Sequence, residues 1–182
     1  MVRKKKPKKI NRIIGRSDKI DLPDMHLYDL DAKIDTGAYT SAIHCGNIRV
    51  EENGQGNVLK FILLDKKHPA YNKKKFEVTD FRKRIIKNSF GQAEERFIIK
   101  TAIVIFGQKF ETEFSLSKRG NLKFPVLLGR KFLQKGRFMV EVTKYNLSYK
   151  AKNSKYENRD IVEKSQAVLD KEIGRSRATP GS

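Results

Sequence analysis

Short apolar runs separated by turn residues recur from about residue 13 to residue 150. Ile13-Ile14-Gly15-Arg16 opens the first run, which continues through Ser17 to Leu22 and meets a turn at Pro23-Asp24. Asp31 to Ile34 and Ser41 to Val50 read as strands on either side of a tight loop. Asn53-Gly54-Gln55-Gly56 reads as a hairpin turn leading into a strand from Val58 to Leu64. Lys66 to Lys75 reads as a loop, with further strands at Phe76 to Phe81 and Arg84 to Ile86, then a turn at Asn88 to Gln92. The clearest hairpin is Arg96 to Phe106, Gly107-Gln108, and Lys109 to Leu116. Within it Ile98, Lys100, Ala102, Val104 and Phe106 share one face, and Ile99, Thr101, Ile103 and Ile105 the other. Both faces are largely apolar, so this strand is expected to lie centrally.

Phe124 to Leu128 is a further apolar run, ended by Gly129, and Arg130 to Leu133 begins a short helix. Arg137 to Val142 with Tyr145 to Tyr149 reads as a last hairpin. Many short strands at this spacing predict an all-β fold, a sandwich or closed barrel, with a short helix near its C-terminal end. The expected organisation is a basic disordered arm over 1–12, a β domain over 13–150, and a polar tail over 151–182. Within that tail, Arg159 to Ile173 reads as weakly helical or disordered.

Composition sharpens this picture. The net charge is +19, and residues 1–12 hold seven Lys or Arg and no acid, while 151–182 contribute only +2. The body therefore carries +10. Such a field concentrates anionic partners: nucleic acid, a membrane surface or an acidic peptide. The single cysteine, Cys45, excludes an internal disulfide and fits a reducing compartment. No apolar run approaches the roughly 20 residues of a membrane span. The basic start lacks the apolar stretch of a secretory signal. The expectation is a soluble, cytoplasmic protein without a membrane partner.

The chemistry centres on Lys33-Ile34-Asp35-Thr36-Gly37-Ala38-Tyr39-Thr40-Ser41-Ala42. Glycine at 37 allows a backbone conformation costly for other residues and a close approach by another chain. Thr36 can lock the loop with a side-chain hydrogen bond. Asp-Thr-Gly alone also fits an ordinary β-turn. About ninety residues on, Phe124-Pro125-Val126-Leu127-Leu128-Gly129-Arg130-Lys131-Phe132-Leu133 reads as strand, glycine and helical turn. Together these segments resemble the two signatures of retropepsin-like aspartic proteases.

A narrower resemblance rests on Ile14-Gly15-Arg16, Lys33 to His44, Glu94-Glu95-Arg96 and Phe124 to Leu133. Over about residues 13–150 the chain is similar to a bacterial retropepsin-like family labelled ATP-dependent zinc protease. That family is associated with RimK-type ATP-grasp enzymes, which add glutamates to protein C-termini. The resemblance implies a closed barrel of the acid protease type and an aspartic endopeptidase activity. It assigns catalysis to Asp35, Thr36 and Gly37. One such loop per chain implies a homodimer, with Asp35 of each copy meeting its mate across a two-fold axis.

The label itself finds little support in the residues. There is no His-Glu-x-x-His, and His26, His44 and His68 are scattered. His44 and Cys45 are neighbours on a strand and point to opposite faces. His44 is expected instead to pack or hydrogen-bond near the Asp35 loop. No Gly-x-x-x-x-Gly-Lys loop is present. No metal and no cofactor are expected, and any ATP dependence would belong to a partner enzyme.

The charge suits an acidic substrate such as a polyglutamate tail. Ala38 and Arg130 lie in the two matched segments, and Arg84 and Arg96 in an expected flap-like hairpin with Lys83 and Lys87. Ala38, Arg84, Arg96 and Arg130 are the candidate substrate-binding residues, although a solvated basic surface explains each charge as well. Two other readings stay open. One is a non-catalytic peptide-binding module of the same fold. The other is a ribosome- or RNA-associated basic protein, although no aromatic-rich RNA-binding signature is present.

Overall fold

The computed structural model describes residues 12–54, 56–87, 91–120 and 123–154. The basic arm before residue 12, the predicted helix at 159–173 and the C-terminal residues lie outside the described residues.

Apolar alternation sets the strands. They are β1 (Arg12–Gly15), β2 (Ser17–Leu22), β3 (Leu27–Ile34), β4 (Ser41–Asn53), β5 (Gly56–Leu63) and β6 (Lys75–Val78). After these come β7 (Phe81–Lys87), β8 (Ala93–Ile105), β9 (Gln108–Ser117), β10 (Val126–Leu128) and β11 (Phe138–Glu141). A 3-10 turn at Pro23–Met25 joins β2 to β3, and the helix α1 spans Arg130–Gly136.

Six strands pair into a closed ring in the order β10, β3, β2, β8, β9, β4 and back to β10. The all-β expectation with one short helix after the last ring strand holds in this form. β10 enters between β3, which it pairs in parallel, and β4, which it pairs antiparallel. Its three residues are all buried, as a strand paired on both edges and covered on both faces requires. β8 is equally central. It pairs with β9 along one edge, and with β7 and then β2 along the other. β5 and β6 extend the sheet outward from β4.

The core inside this frame includes Ile20, Leu30, Ile43, Leu59, Phe61, Ile103, Phe114 and Leu128. A second aromatic group, Phe106, Phe110, Phe132 and Phe138, has ring centroids 5.5 to 6.1 Å apart. It packs α1 and β11 against the β8–β9 hairpin.

The predicted last hairpin is wrong. β11 pairs instead in parallel with β1, Ile14 opposite Val140, and residues 147–154 are helical. Two features that periodicity does not display turn the chain. Asn146 adopts a left-handed conformation, φ 55°, which asparagine tolerates better than most residues. The buried carboxylate of Asp18 then accepts the N–H groups of Ser148 and Tyr149 at 2.8 and 3.1 Å. A helix start leaves such N–H groups unpaired, and a remote aspartate satisfies them here. No described helix is long and apolar enough to cross a membrane.

Candidate functional site

The Asp35 loop leaves β3 and returns into β4, and β10 with the start of α1 holds it from below. The Asp35 N–H donates to Leu128 O at 3.0 Å. The Arg130 and Lys131 N–H groups donate to Ala38 O and Tyr39 O at 2.8 and 3.1 Å. The Gly129 N–H donates to Ser41 Oγ at 3.1 Å. Gly129 explains why the second segment needs a glycine: a Cβ there would lie 2.8 Å from the Thr40 carbonyl carbon and 3.0 Å from Ala38 O. The two segments noted in the sequence thus form one unit.

Asp35 Oδ1 accepts the Gly37 and Ala38 N–H groups at 2.9 and 3.1 Å. Oδ2 has no hydrogen-bond partner among the described residues. This corrects two expectations about how the loop is locked. The Thr36 hydroxyl makes no hydrogen bond among the described residues; the aspartate locks the turn with its own carboxylate, an Asx-type arrangement. Gly37 is not left-handed, and its requirement is room, since a Cβ would lie 3.3 Å from Asp35 Oδ1.

Asp35 faces a cleft of about 710 Å³ shared with Gly37, Ala38, Arg84, Arg96, Arg119 and Arg130. Of the expected site residues, the structure therefore brings together Asp35, Gly37, Ala38, Arg84, Arg96 and Arg130. Thr36 lines a separate hollow against α1 and β11. The hairpin of β7 and β8 walls the cleft, with Arg84 opposite Arg96 in its register. Arg96 is engaged by Glu94 Oε2 at 2.7 and 2.9 Å. Lys83 is not a lining residue: it pairs with Glu95 at 3.1 Å and lies over the Phe97 ring. The Lys87 side chain lies outside the described residues.

Arg119 is the charged lining residue that sequence reasoning missed. It follows β9 in an irregular stretch with no periodic signal. Its N–H donates to His44 Nδ1 at 2.7 Å, a link across 75 residues. An accepting Nδ1 places the proton of neutral His44 on Nε2. That atom lies 3.3 Å from Asp65 Oδ2, without the angle of a hydrogen bond. His44 thus hydrogen-bonds as expected, but to Arg119 and in a hollow beside the Asp35 cleft that does not include the Asp35 loop.

The zinc part of the family label does not fit these residues. Among the described residues no group of three or more His, Cys, Asp or Glu could hold a metal ion. His44 Nδ1 is occupied by an amide. Cys45 is buried with its thiol turned to Ser117 O. Burial pushes that thiol up to about 12, far from the thiolate a metal needs.

Comparison with known proteins agrees with this geometry. The model of a family described as RimB-like, retropepsin-like aspartic endopeptidase RimB, matches residues 13–151. A probable alpha-L-glutamate ligase of Desulfotalea psychrophila is 33% identical over 123 residues, 65% of this chain and 26% of that protein. One from Shewanella pealeana is 33% identical over 124 residues, with the same shares. One from Parasynechococcus marenigrum is 27% identical over 133 residues, 71% of this chain and 28% of the ligase. The chain thus spans about a quarter of the length of these relatives. Among solved structures, the Legionella pneumophila protein Lpg0085, of unknown function, shares the fold. Its TM-score is 0.59 at 24% identity, covering 76% of this chain and 99% of that one.

Proposed function

The chain belongs to the RimB-like family of retropepsin-like aspartic endopeptidases, and on that premise we propose that it is an aspartic-type peptidase whose Asp35 supplies one carboxylate of a catalytic pair. Asp35 of a second copy supplies the other across a two-fold axis. The six-strand ring is the acid-protease barrel of each half.

Two carboxyls around one water cannot both ionise readily, so one keeps a proton. The ionised one takes a proton from the water as it attacks the peptide carbonyl. The protonated one donates to the carbonyl oxygen and recovers that proton as the adduct collapses, while the proton taken from water passes to the leaving amine. The single observation that carries the reading is the state of Asp35. Oδ1 is fixed by two loop amides, while Oδ2 is left unpaired at a cleft.

Four arginines around one aspartate favour an acidic substrate, a glutamate-extended peptide tail above all. The relatives named glutamate ligases support the same chemistry, since a ligase that adds glutamate makes such a tail. A ligase of that kind is the natural partner, and a ribosomal protein a candidate bearer of the tail. The cytoplasm is the matching compartment.

The test is to incubate the protein with a glutamate-extended peptide, follow the products by mass spectrometry, and measure the solution mass. Wild type is expected to shorten the peptide and to run as a dimer. Asp35→Asn should lower the rate by about 10²- to 10⁴-fold. Cleavage by that variant at the wild-type rate, or cleavage by a strictly monomeric protein, rejects the mechanism. Tight binding without any cleavage would leave a peptide-binding module in its place.

A further inference from the structure

We propose that Arg119, latched in place by His44 and Asp65, reads a side-chain carboxylate of the acidic substrate beside Asp35. This deepens the acidic-substrate reading and rests on it.

The cleft's cationic residues are not equivalent. Arg84 and Arg130 stand exposed at its rim, where water screens their charge. Arg96 already has Glu94 as a partner at 2.7 Å. Arg119 is half-buried, and its Nε is fully buried with no hydrogen-bond partner among the described residues. An unanswered guanidinium N–H inside a protein is costly, and it is answered best by a carboxylate.

Among the described residues Asp35 is the only acid lining the cleft. Its field favours the charged guanidinium but it accepts no hydrogen bond from it. Burial and the like charge of Arg96 both pull the Arg119 pKa down, with Asp35 opposing. The fold therefore holds a cation in a place that an arriving anion would relieve.

The latch acts on the main chain from which the guanidinium extends, through the backbone amide of Arg119. The Arg119 N–H is bound to His44 Nδ1 at 2.7 Å. His44 is itself fixed on β4, its N–H on Pro125 O at 2.8 Å and its carbonyl on the Leu64 N–H at 3.0 Å. Asp65 Oδ2 stands 3.3 Å from Nε2 on the far side of the ring. Glycine at residue 120 leaves room for this arrangement; a side chain there would push Asp65 aside. A Cβ there would lie 2.5 Å from Asp65 Oδ2 and 3.3 Å from His44 Nε2. His44 and Asp65 touch no substrate on this view; they are positioning residues for Arg119.

The test measures binding without turnover. In full-length protein carrying Asp35→Asn, anisotropy of a labelled glutamate-tailed peptide is compared with that of its glutamine-tailed counterpart. Adding Arg119→Gln should weaken the glutamate peptide by about 10- to 100-fold and leave the glutamine peptide unchanged. Arg119→Lys keeps the charge without the planar fork, and should lose several-fold. His44→Phe should weaken the glutamate peptide as well. His44→Asn, whose carbonyl oxygen can accept the Arg119 N–H, should restore most of it. With Asp35 intact, the His44 effects should fall on KM and not on kcat. Melting curves establish that each variant is folded. If Arg119→Gln and Arg119→Lys both bind the glutamate peptide as the parent does, the role of Arg119 is overturned and the acidic-substrate reading survives. If the parent itself does not prefer glutamate over glutamine, both fall.

Discussion

Of the aspartates that accept backbone N–H groups in this fold, Asp18 and Asp35 end in opposite situations. Asp18, on β2, is wholly buried. Its Oδ1 takes the Lys19 and Tyr149 N–H groups at 2.9 and 3.1 Å, and its Oδ2 takes that of Ser148 at 2.8 Å. Burial pushes its carboxyl above the ordinary value, while these hydrogen bonds pull it back. Asp35 is only half-buried, with both of its amides on Oδ1 and nothing on Oδ2. Burial thus marks the residue with no room for chemistry. What distinguishes Asp35 is an unfilled oxygen facing open space. A carboxylate with both oxygens satisfied joins a helix to a sheet; one with a vacant oxygen can take up a water.

The contrast makes a paired prediction, and its activity arm is the largest effect expected here. Asp35→Asn should abolish nearly all cleavage while changing unfolding free energy by less than about 1 kcal/mol, as an exposed-side change does. Asp18→Ala should do the reverse. It strands three N–H groups, that of Ser148 buried and those of Lys19 and Tyr149 partly so, costing about 1–3 kcal/mol, yet leaves the cleft intact. Urea unfolding and the peptide assay on the same samples decide it. An inactive but fully stable Asp18→Ala protein would break the comparison.

The two regions also differ in what supports them. The Asp18 corner holds itself together, helped by Lys152 bridging Asp21 and Asp29 at 3.1 and 2.8 Å. The Asp35 loop depends on α1, and α1 is anchored by Phe132, fully buried among Phe110 and Phe138. Phe132→Ala should cost about 3–5 kcal/mol. It should also loosen the Arg130 and Lys131 hydrogen bonds to the loop, so that activity falls further than the folded fraction. Amide exchange at Gly37, Ala38 and Arg130 would report it. Unchanged protection there would mean the loop stands without α1.

The same division explains what could be read from the chain before its structure. The Asp35 loop, the Leu127-Leu128-Gly129 run and the β8–β9 hairpin are local patterns, and local alternation and turn chemistry are visible in a sequence. The helix at 147–154 replaces the end of the expected strand Tyr145 to Tyr149 and the start of the expected tail, because its start depends on Asp18, about 130 residues away. Arg119 escapes notice for the same reason, since its place comes from His44 on the neighbouring strand β4, 75 residues away in sequence. Gly129 was noticed as a pattern, but its cause, the carbonyls of Ala38 and Thr40, is a tertiary contact. Contacts that close the ring, and those that hold single charges at its wall, leave no periodic trace.

The smallest effect sharpens the comparison through pH. Glu113, on β9, accepts from Lys131 of α1 at 2.7 Å and from Arg82 of β7. The Lys131 hydrogen bond above all, with Arg82 behind it, holds its carboxyl down to about 2 against burial. A folded value below the unfolded one gives stability that is present above pH 4.5 and lost as pH falls toward about 2. Asp18 has the opposite sign. Its raised folded value means the native state binds the proton more readily, so wild type gains stability as pH falls through that value to 3.8. Glu113→Gln should cost about 1 kcal/mol at neutral pH, a gap that narrows below pH 4.5. The gap between wild type and Asp18→Ala should widen over the window that ends at 3.8. Urea midpoints for the three proteins, measured at low salt in steps from neutral to acidic pH, test both signs together. If the two gaps moved in the same direction, the assignment of one carboxylate to ion pairing and the other to burial would be wrong.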